Sequence, residues 1–99
     1  MKIYFTQQAL DSLEETLKFV SQNNTPQKVE QIKNKLINST TILTKSPKIG
    51  QEEEYLEHLN LNHRRLIVGY CKIIYRIDNE NIYITDIFDT RQDPLKMKG

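Results

Sequence analysis

Basic side chains gather in the final third of the sequence, where they could bind or act on an anionic group. The candidates are His63, Arg64, Arg65, Lys72, Arg76 and Arg91. Guanidinium and ammonium groups that converge on one surface can recognise phosphate or carboxylate groups. The alternative is that these residues only solubilise exposed strands and protect their edges from pairing with other chains. The residues themselves leave both interpretations open.

The other chemically capable residues form no recognisable motif. A lone histidine such as His63 is more often exposed or hydrogen-bonded than a general base, and His58 is not spaced from it as a pair of metal ligands. Cys71 lies in an apolar segment, where burial is a better expectation than nucleophilic activity. No glycine-rich phosphate loop or common hydrolase motif occurs. We therefore expect no metal and no other cofactor.

The run Glu52–Glu54 places the opposite charge just before the basic residues. Its simplest interpretation is a solvated loop. A functional alternative is a repulsive segment that steers a polyanion towards the basic residues. The formal net charge of the whole chain is only +1, so any contact with nucleic acid must be local rather than driven by overall attraction.

Length and composition predict one globular domain over residues 1–99. A chain of 99 residues can build one hydrophobic core, and dividing it would leave each half too small to bury enough surface. The single cysteine excludes an internal disulfide. No apolar run resembles a signal peptide or approaches the ~20 residues of a membrane span. These features predict a cytoplasmic protein without membrane contact.

The elements that must position the basic residues begin with a strand and a helix. Residues 2–5 are rich in β-formers and stop at Thr6, a good helix-capping residue. An amphipathic helix is then predicted from apolar residues at spacings of three and four. Its stripe consists of Leu10, Leu13, Leu17 and Val20. The helix is expected to end within residues 21–24, whose side chains favour local hydrogen bonds.

A second helix is predicted to begin at Thr25 and Pro26, a capping residue followed by proline at the first helical position. Its apolar stripe consists of Val29, Ile32, Leu36 and Leu43, with Thr40 in the remaining position. Pro47 and Gly50 are expected to end the helix and open a loop. Two consecutive helices with a short connection favour an αα-hairpin.

After this loop the hydrophobic period changes from 3.6 to 2, which predicts three strands in an antiparallel meander. The strands cover residues 65–68, 72–77 and 82–88. This order predicts an α+β fold in which the helices pack on one sheet face and the other face stays partly open. On that open face the middle strand presents Lys72, Ile74 and Arg76. The tail that follows is expected to be mobile unless it is bound.

Two segments resemble a known family. The first is RRLIVGYCKIIYRI at residues 64–77, and the second is ITDIFDTRQDP at residues 84–94. They are similar to the patterns R-x-x-x-V-G-x-Y-R-I-I-Y-x-I and V-x-I-x-x-V-x-x-R-x-x-P of the RelE/ParE toxin superfamily. Order, spacing and total length fit, and the helical hairpin lies where the family places it. The resemblance therefore covers nearly the whole chain.

The resemblance implies the toxin of a bacterial type II toxin–antitoxin system, which arrests growth, can stabilise plasmids and is neutralised by a cognate antitoxin. ParE-like members bind and inhibit DNA gyrase, whereas RelE-like members are metal-independent endoribonucleases that cut mRNA on the ribosome. A third alternative is an inactive relative that serves only as an interaction and autoregulatory partner. Operator DNA would be contacted only through the antitoxin.

Matched residue by residue, the basic positions of the ribonucleases fall on Arg65, Lys72 and Arg91, with a further one on His63. Lys72 replaces the more usual arginine, which keeps the charge but loses the bidentate fork. The ribonucleases also carry a tyrosine or histidine in the tail for proton transfer, and no residue after Arg91 matches it. Because residues 91–94 look more like the ParE members, the resemblance favours a gyrase-binding toxin.

For this binding function, basic residues of the strands and the turn after them would contact the target or the antitoxin. They are Arg64, Arg65, Lys72, Arg76 and Arg91. We expect an antitoxin segment, a helix followed by an extended stretch, to pack on the apolar and basic surface of this domain.

Overall fold

The first strand and helix form as their capping signals predict. The structure, a computed structural model that describes residues 1–99, has strand β1 at Lys2–Phe5 and helix α1 at Gln7–Ser21. The Thr6 hydroxyl accepts a hydrogen bond from the Ala9 amide at 3.1 Å, which satisfies one of the free amides of the first helical turn. The predicted boundaries of this helix are therefore confirmed.

The buried side of α1 differs from the predicted leucine stripe. Leu10 is 45% exposed, whereas Ser12 and Thr16 are buried together with Leu13. The helix runs beside the C-terminal half of the last strand, beyond the residues that pair with β1, and the Thr16 hydroxyl donates to the Ile87 carbonyl at 3.2 Å. Thr16 is tolerated on the buried side because this part of the strand offers a carbonyl that needs a donor.

The second helix is shorter than predicted. Helix α2 spans Pro26–Ser39, and the Thr25 hydroxyl accepts a hydrogen bond from the Lys28 amide at 3.2 Å. A 3₁₀ helix at Thr40–Thr44 then replaces the α-helical continuation. The hydroxyl groups of Ser39, Thr40 and Thr41 donate to carbonyls three or four residues back, which competes with regular helical bonding. Leu43 is still fully buried, but it belongs to the 3₁₀ helix.

The predicted α+β fold with a meander is confirmed, and two further strand pairings extend the sheet. The later strands are β2 at Gln51–Glu52, β3 at Arg64–Val68, β4 at Cys71–Asp78 and β5 at Asn81–Asp89. Their order is β1-β5-β4-β3-β2, with β1 parallel to β5 and the other neighbours antiparallel. The sheet is therefore mixed and has five strands.

The main core lies between the helical hairpin and one sheet face. It includes Leu13, Leu36, Ile73, Tyr75 and Ile84, all at most 7% exposed. The β4–β5 register shifts at Ile74 and Tyr75, which pair with Asp86 and Ile84 respectively. This bulge lets Ile84 and Ile87, three residues apart, face the same core.

The opposite face is more covered than predicted. A 3₁₀ helix at Glu54–Leu59 and another at Pro94–Lys96 flank a second cluster on this face. The cluster consists of Leu56, Ile74, Phe88 and Met97. The expectation of a mobile tail is wrong, because Met97 is buried and the Lys98 amide donates to the Asp86 carboxylate at 2.9 Å. No helix in the structure is long and apolar enough to cross a membrane.

Candidate functional site

The predicted basic residues do not form one cluster. Strand alternation places Arg65, Lys72 and Arg76 on the face opposite the hairpin, where Arg65 is registered with Ile74. Arg64 is registered with the core residue Tyr75, and its guanidinium donates to the Gly50 carbonyl at 2.7 Å. Arg91 lies elsewhere again, in contact with Phe19 and Tyr70. The expected convergence is therefore limited to three side chains.

Glu53 is the residue that sequence reasoning missed on this face. It was expected in a solvated run, but it is only 2% exposed, while its neighbours Glu52 and Glu54 are exposed. Its Oε1 lies 2.8 Å from Lys72 Nζ and 3.7 Å from Arg65 Nη1. No local pattern distinguishes it within three successive glutamates, since the partner Lys72 is 19 residues away.

Backbone contacts hold Glu53 in this place. Its amide donates to the His63 carbonyl at 2.9 Å, and its Oε2 accepts a hydrogen bond from the Tyr55 amide at 3.2 Å. The Lys72 ammonium also lies 5.6 Å from the centre of the Tyr55 ring, which is within cation–π range. The carboxylate is therefore fixed at the start of the 3₁₀ helix and directed towards the sheet.

The cations around Glu53 are largely shielded from a ligand. The side chains of Arg65 and Lys72 are 16% and 17% exposed. Arg65 additionally donates to the Glu52 carbonyl at 2.6 Å and to Gln51 Oε1 at 2.9 Å. These donors serve the β2–β3 edge and the Glu53 carboxylate, so this part of the face acts as an internal ion network.

Arg76 is the more accessible cation of the face. Its side chain is 31% exposed, and its guanidinium lies 3.9 Å from the Asp78 carboxylate. It also stacks over the Tyr83 ring at 5.2 Å. An arginine placed over an aromatic ring keeps part of its donor edge available for a ligand.

His63 was expected to be exposed or hydrogen-bonded, and it is neither. It is only 2% exposed, and neither ring nitrogen has a hydrogen-bond partner. Burial, followed by the charge of Arg76, lowers the pKa of His63 below its usual value. Both influences favour the neutral imidazole at neutral pH, and burial keeps it away from any bound substrate.

Arg91 forms a bidentate pair with a buried carboxylate. Its Nε lies 3.0 Å from Asp89 Oδ1 and its Nη2 lies 2.7 Å from Oδ2, while Asp89 is 1% exposed. The hydrogen bonds from Arg91 lower the pKa of Asp89 despite its burial. The guanidinium is stacked 4.5 Å from the Tyr70 ring and 5.2 Å from the Phe19 ring. This geometry fixes Arg91 with 47% of its side chain exposed.

A groove of about 480 Å³ runs from Arg91 between the helical hairpin and the β3–β4 turn. Apolar side chains line part of it, including Val20, Leu36 and Val68. Cations line another part, namely Lys28 and Lys35 of α2 together with Arg91. The groove can therefore accommodate a segment that is apolar on one side and acidic on the other.

Cys71 is buried, as the sequence predicts, and it belongs to the main core. Burial, followed by the charge of Asp89, raises the pKa of its thiol to about 11. The protonated thiol is a poor nucleophile at neutral pH. No group of three or more histidine, cysteine, aspartate or glutamate side chains is placed to hold a metal ion.

A strand, a helical hairpin and a meander that carries basic side chains define the class of RelE/ParE toxins. Within this class, the family model described as "ParE toxin of type II toxin-antitoxin system, parDE" matches residues 3–94. The chain therefore belongs to the ParE toxin family, and the resemblance seen in the sequence is confirmed.

A solved structure shows the same fold. It is described as the chromosomal ParDE TA system from P. aeruginosa, and it matches with a TM-score of 0.73 and 16% sequence identity. The match covers 88% of this chain and 92% of the other. No curated protein matches the sequence significantly.

Proposed function

We propose that this chain is a growth-inhibiting toxin that binds DNA gyrase and is neutralised by a cognate antitoxin. Membership of the ParE toxin family of type II toxin–antitoxin systems supports the general role. In this proposal residues 1–99 act as one cytoplasmic toxin domain that inhibits its target by binding. The toxin can also stabilise a plasmid that carries the genes of the toxin and its antitoxin.

The observation that carries the choice of binding over RNA cleavage is the Glu53 ion network. Arg65 and Lys72 are the side chains that a related ribonuclease would direct at a phosphate, and here both lie within 4 Å of a buried carboxylate. An anionic phosphate that approached them would be repelled by Glu53 and would have to displace it. Stabilising a developing phosphate charge requires cations that are free to contact it.

The groups expected to transfer protons are also buried or absent. Cleavage of a phosphodiester needs a group that takes a proton and a group that gives one. His63 is buried, and the tail after Arg91 contains no tyrosine or histidine. The arrangement therefore supports a binding role for the half-buried Arg76 and the exposed Arg91 more than a catalytic role.

The groove beside Arg91 is the surface that we assign to the antitoxin. Its apolar lining and its three cations, Lys28, Lys35 and Arg91, complement an acidic amphipathic segment. Tyr70, which is 65% exposed and stacks on Arg91, would supply a large aromatic contact at one end. Contact with operator DNA would then be made by the antitoxin in the complex.

The target is tested by inducing the protein in bacteria without its antitoxin. We expect growth arrest with double-strand breaks at gyrase sites, while ribosome-bound messages stay uncut. Message cleavage at codon-defined positions, lost in Arg65→Ala, would identify a ribonuclease and refute the gyrase assignment. Normal growth at full expression of folded protein would instead identify an inactive relative.

The antitoxin surface is tested by charge reversal in the groove. A Lys28→Glu and Lys35→Glu double variant should bind the purified antitoxin at least tenfold more weakly by calorimetry. The matched control is Lys45→Glu with Lys48→Glu, two exposed lysines outside the groove that give the same change of net charge. Equal losses in the two double variants would show general electrostatic attraction and refute docking in the groove.

A further inference from the structure

Three side chains form a continuous stack on the sheet face opposite the hairpin. Tyr4 of β1 is registered with Tyr83 of β5, which is registered with Arg76 of β4. The two tyrosine rings are 5.6 Å apart with an angle of 23° between their planes, and the Arg76 guanidinium lies 5.2 Å from the Tyr83 ring. The row therefore runs across three neighbouring strands and ends at the sheet edge.

The stack is open at its Tyr4 end. Strand β1 is an outer strand of the sheet, and Tyr4 is 44% exposed although its ring is large and aromatic. A concavity of about 640 Å³ lies beside this ring and is also lined by Met1, Lys2, Glu80 and Asn81.

We propose that this end of the row binds one unpaired nucleobase of single-stranded nucleic acid, which stacks on Tyr4 and extends the row by one ring. Exposed tyrosines on a sheet are a platform on which bases stack, because every base offers a flat π-surface. Lys2 would contact the adjoining phosphate, and the side chains of Glu80 and Asn81 would face polar atoms of the base. This site lies apart from the groove assigned to the antitoxin.

The charges beside the row predict how this binding depends on salt. Lys2 and Arg76 are balanced by Asp78 and Glu80, so the site has no strong positive potential. Stacking must then supply most of the affinity. With one lysine contact, a plot of the logarithm of the binding constant against the logarithm of the salt concentration should have a slope of only about −1. Binding of a polyanion by overall attraction would give a much steeper slope.

The test uses the full chain and fluorescein-labelled oligonucleotides of twelve adenines, as DNA and as RNA, in fluorescence anisotropy titrations. We expect saturable binding that Tyr4→Leu weakens by about 5- to 150-fold, the range expected for loss of one stacked base. Tyr4→Phe, which keeps the ring, should bind like the parent. The control Tyr55→Leu removes another half-exposed tyrosine that lies outside the row and should leave binding unchanged.

A second readout separates stacking from changes in folding. The chain has five tyrosines and no tryptophan, so its intrinsic fluorescence comes from tyrosine. Unlabelled oligonucleotide should quench it in the parent and in Tyr55→Leu, and less in Tyr4→Leu at an unchanged urea midpoint. If Tyr4→Leu is unstable, Lys2→Gln provides the alternative and should flatten the salt slope.

The outcomes decide the proposal. Binding by the DNA strand, the RNA strand or both supports it when it depends on the Tyr4 ring, and the preferred strand identifies the natural source of the base. Equal affinity in the parent and Tyr4→Leu, equal affinity for a duplex whose bases are already stacked, or no binding would each overturn it. None of these results depends on gyrase inhibition.

Discussion

The Oε1 atom of Glu53 lies 2.8 Å from the ammonium of Lys72, and the Glu53 side chain is only 1% exposed. The two residues come from different parts of the fold, the start of a 3₁₀ helix and the middle of the sheet. A carboxylate without solvent is stable in such a place only when cations and hydrogen-bond donors surround it. Here Lys72, Arg65 and the Tyr55 amide meet that need.

Removal of the Glu53 carboxylate should therefore destabilise the fold. We expect Glu53→Ala to lower the free energy of unfolding by about 3 kcal/mol, because it leaves two poorly solvated cations without their partner. Glu54→Ala, which alters the adjacent exposed glutamate, should change it by less than about 0.5 kcal/mol. Urea unfolding followed by circular dichroism measures both. Equal stability of the two variants would mean that the ion network contributes nothing.

The Asp89–Arg91 pair should make part of the stability dependent on pH. Hydrogen bonds from Arg91 lower the pKa of Asp89 in the folded protein below the value of about 3.9 in the unfolded chain. The stabilisation is thus complete above about pH 4 and is lost as the pH falls through the folded pKa. The difference in unfolding free energy between the parent and Arg91→Leu should shrink from pH 6 to pH 2.5. A constant difference would contradict the pairing.

The Tyr75 hydroxyl should anchor the loop before β2. This hydroxyl donates to the Pro47 carbonyl at 2.8 Å and accepts a hydrogen bond from the Gly50 amide at 2.9 Å. Tyr75→Phe leaves both backbone groups without this partner and should cost about 1–3 kcal/mol. Tyr55→Phe, at a half-exposed ring without a hydroxyl hydrogen bond, is the control in the same urea titration. Equal urea midpoints of Tyr75→Phe and Tyr55→Phe would refute the proposed anchoring role of the Tyr75 hydroxyl.

Cys71 should react with thiol reagents only when the protein unfolds. Its pKa is raised to about 11 by burial, so very little thiolate exists at pH 8, and the side chain is 4% exposed. Colour release from Ellman's reagent should be slow in buffer and fast in denaturing urea. Rapid labelling of the native protein would show that the thiol is accessible and ionised, contrary to its place in the core.

Structural features that depend on a few neighbouring residues were predicted correctly. Thr6 and Thr25 cap helices because their hydroxyls need only an amide three residues ahead. Alternation along β4 likewise placed Lys72 and Arg76 on one face. The end of α2 was not predicted, because the hydroxyls of residues 39–41 compete with helical bonding in a way that apolar spacing does not reveal.

The site was predicted less well because it depends on contacts between distant segments. Exposure of the Glu52–Glu54 run was a reasonable expectation for three glutamates, and only the pairing of β2 with β3 brings Glu53 to Lys72. Arg91 was grouped with Arg65 and Lys72 because it follows the last predicted strand and matches a basic position of the related ribonucleases. The bulge in β5 and the turn after it carry Arg91 to the hairpin side instead, where Asp89 and Tyr70 fix it.

Inhibition of DNA gyrase by the purified protein is the decisive measurement for the proposed binding function. Relaxed plasmid, gyrase and ATP are incubated with increasing toxin, and supercoiled product is measured on agarose gels beside a translation reaction in which ribosome-bound mRNA is mapped for cuts. A gyrase-binding toxin should cause a dose-dependent loss of supercoiling, relieved by the antitoxin, with the mRNA intact. Full supercoiling at every toxin concentration, together with cut mRNA, would contradict it.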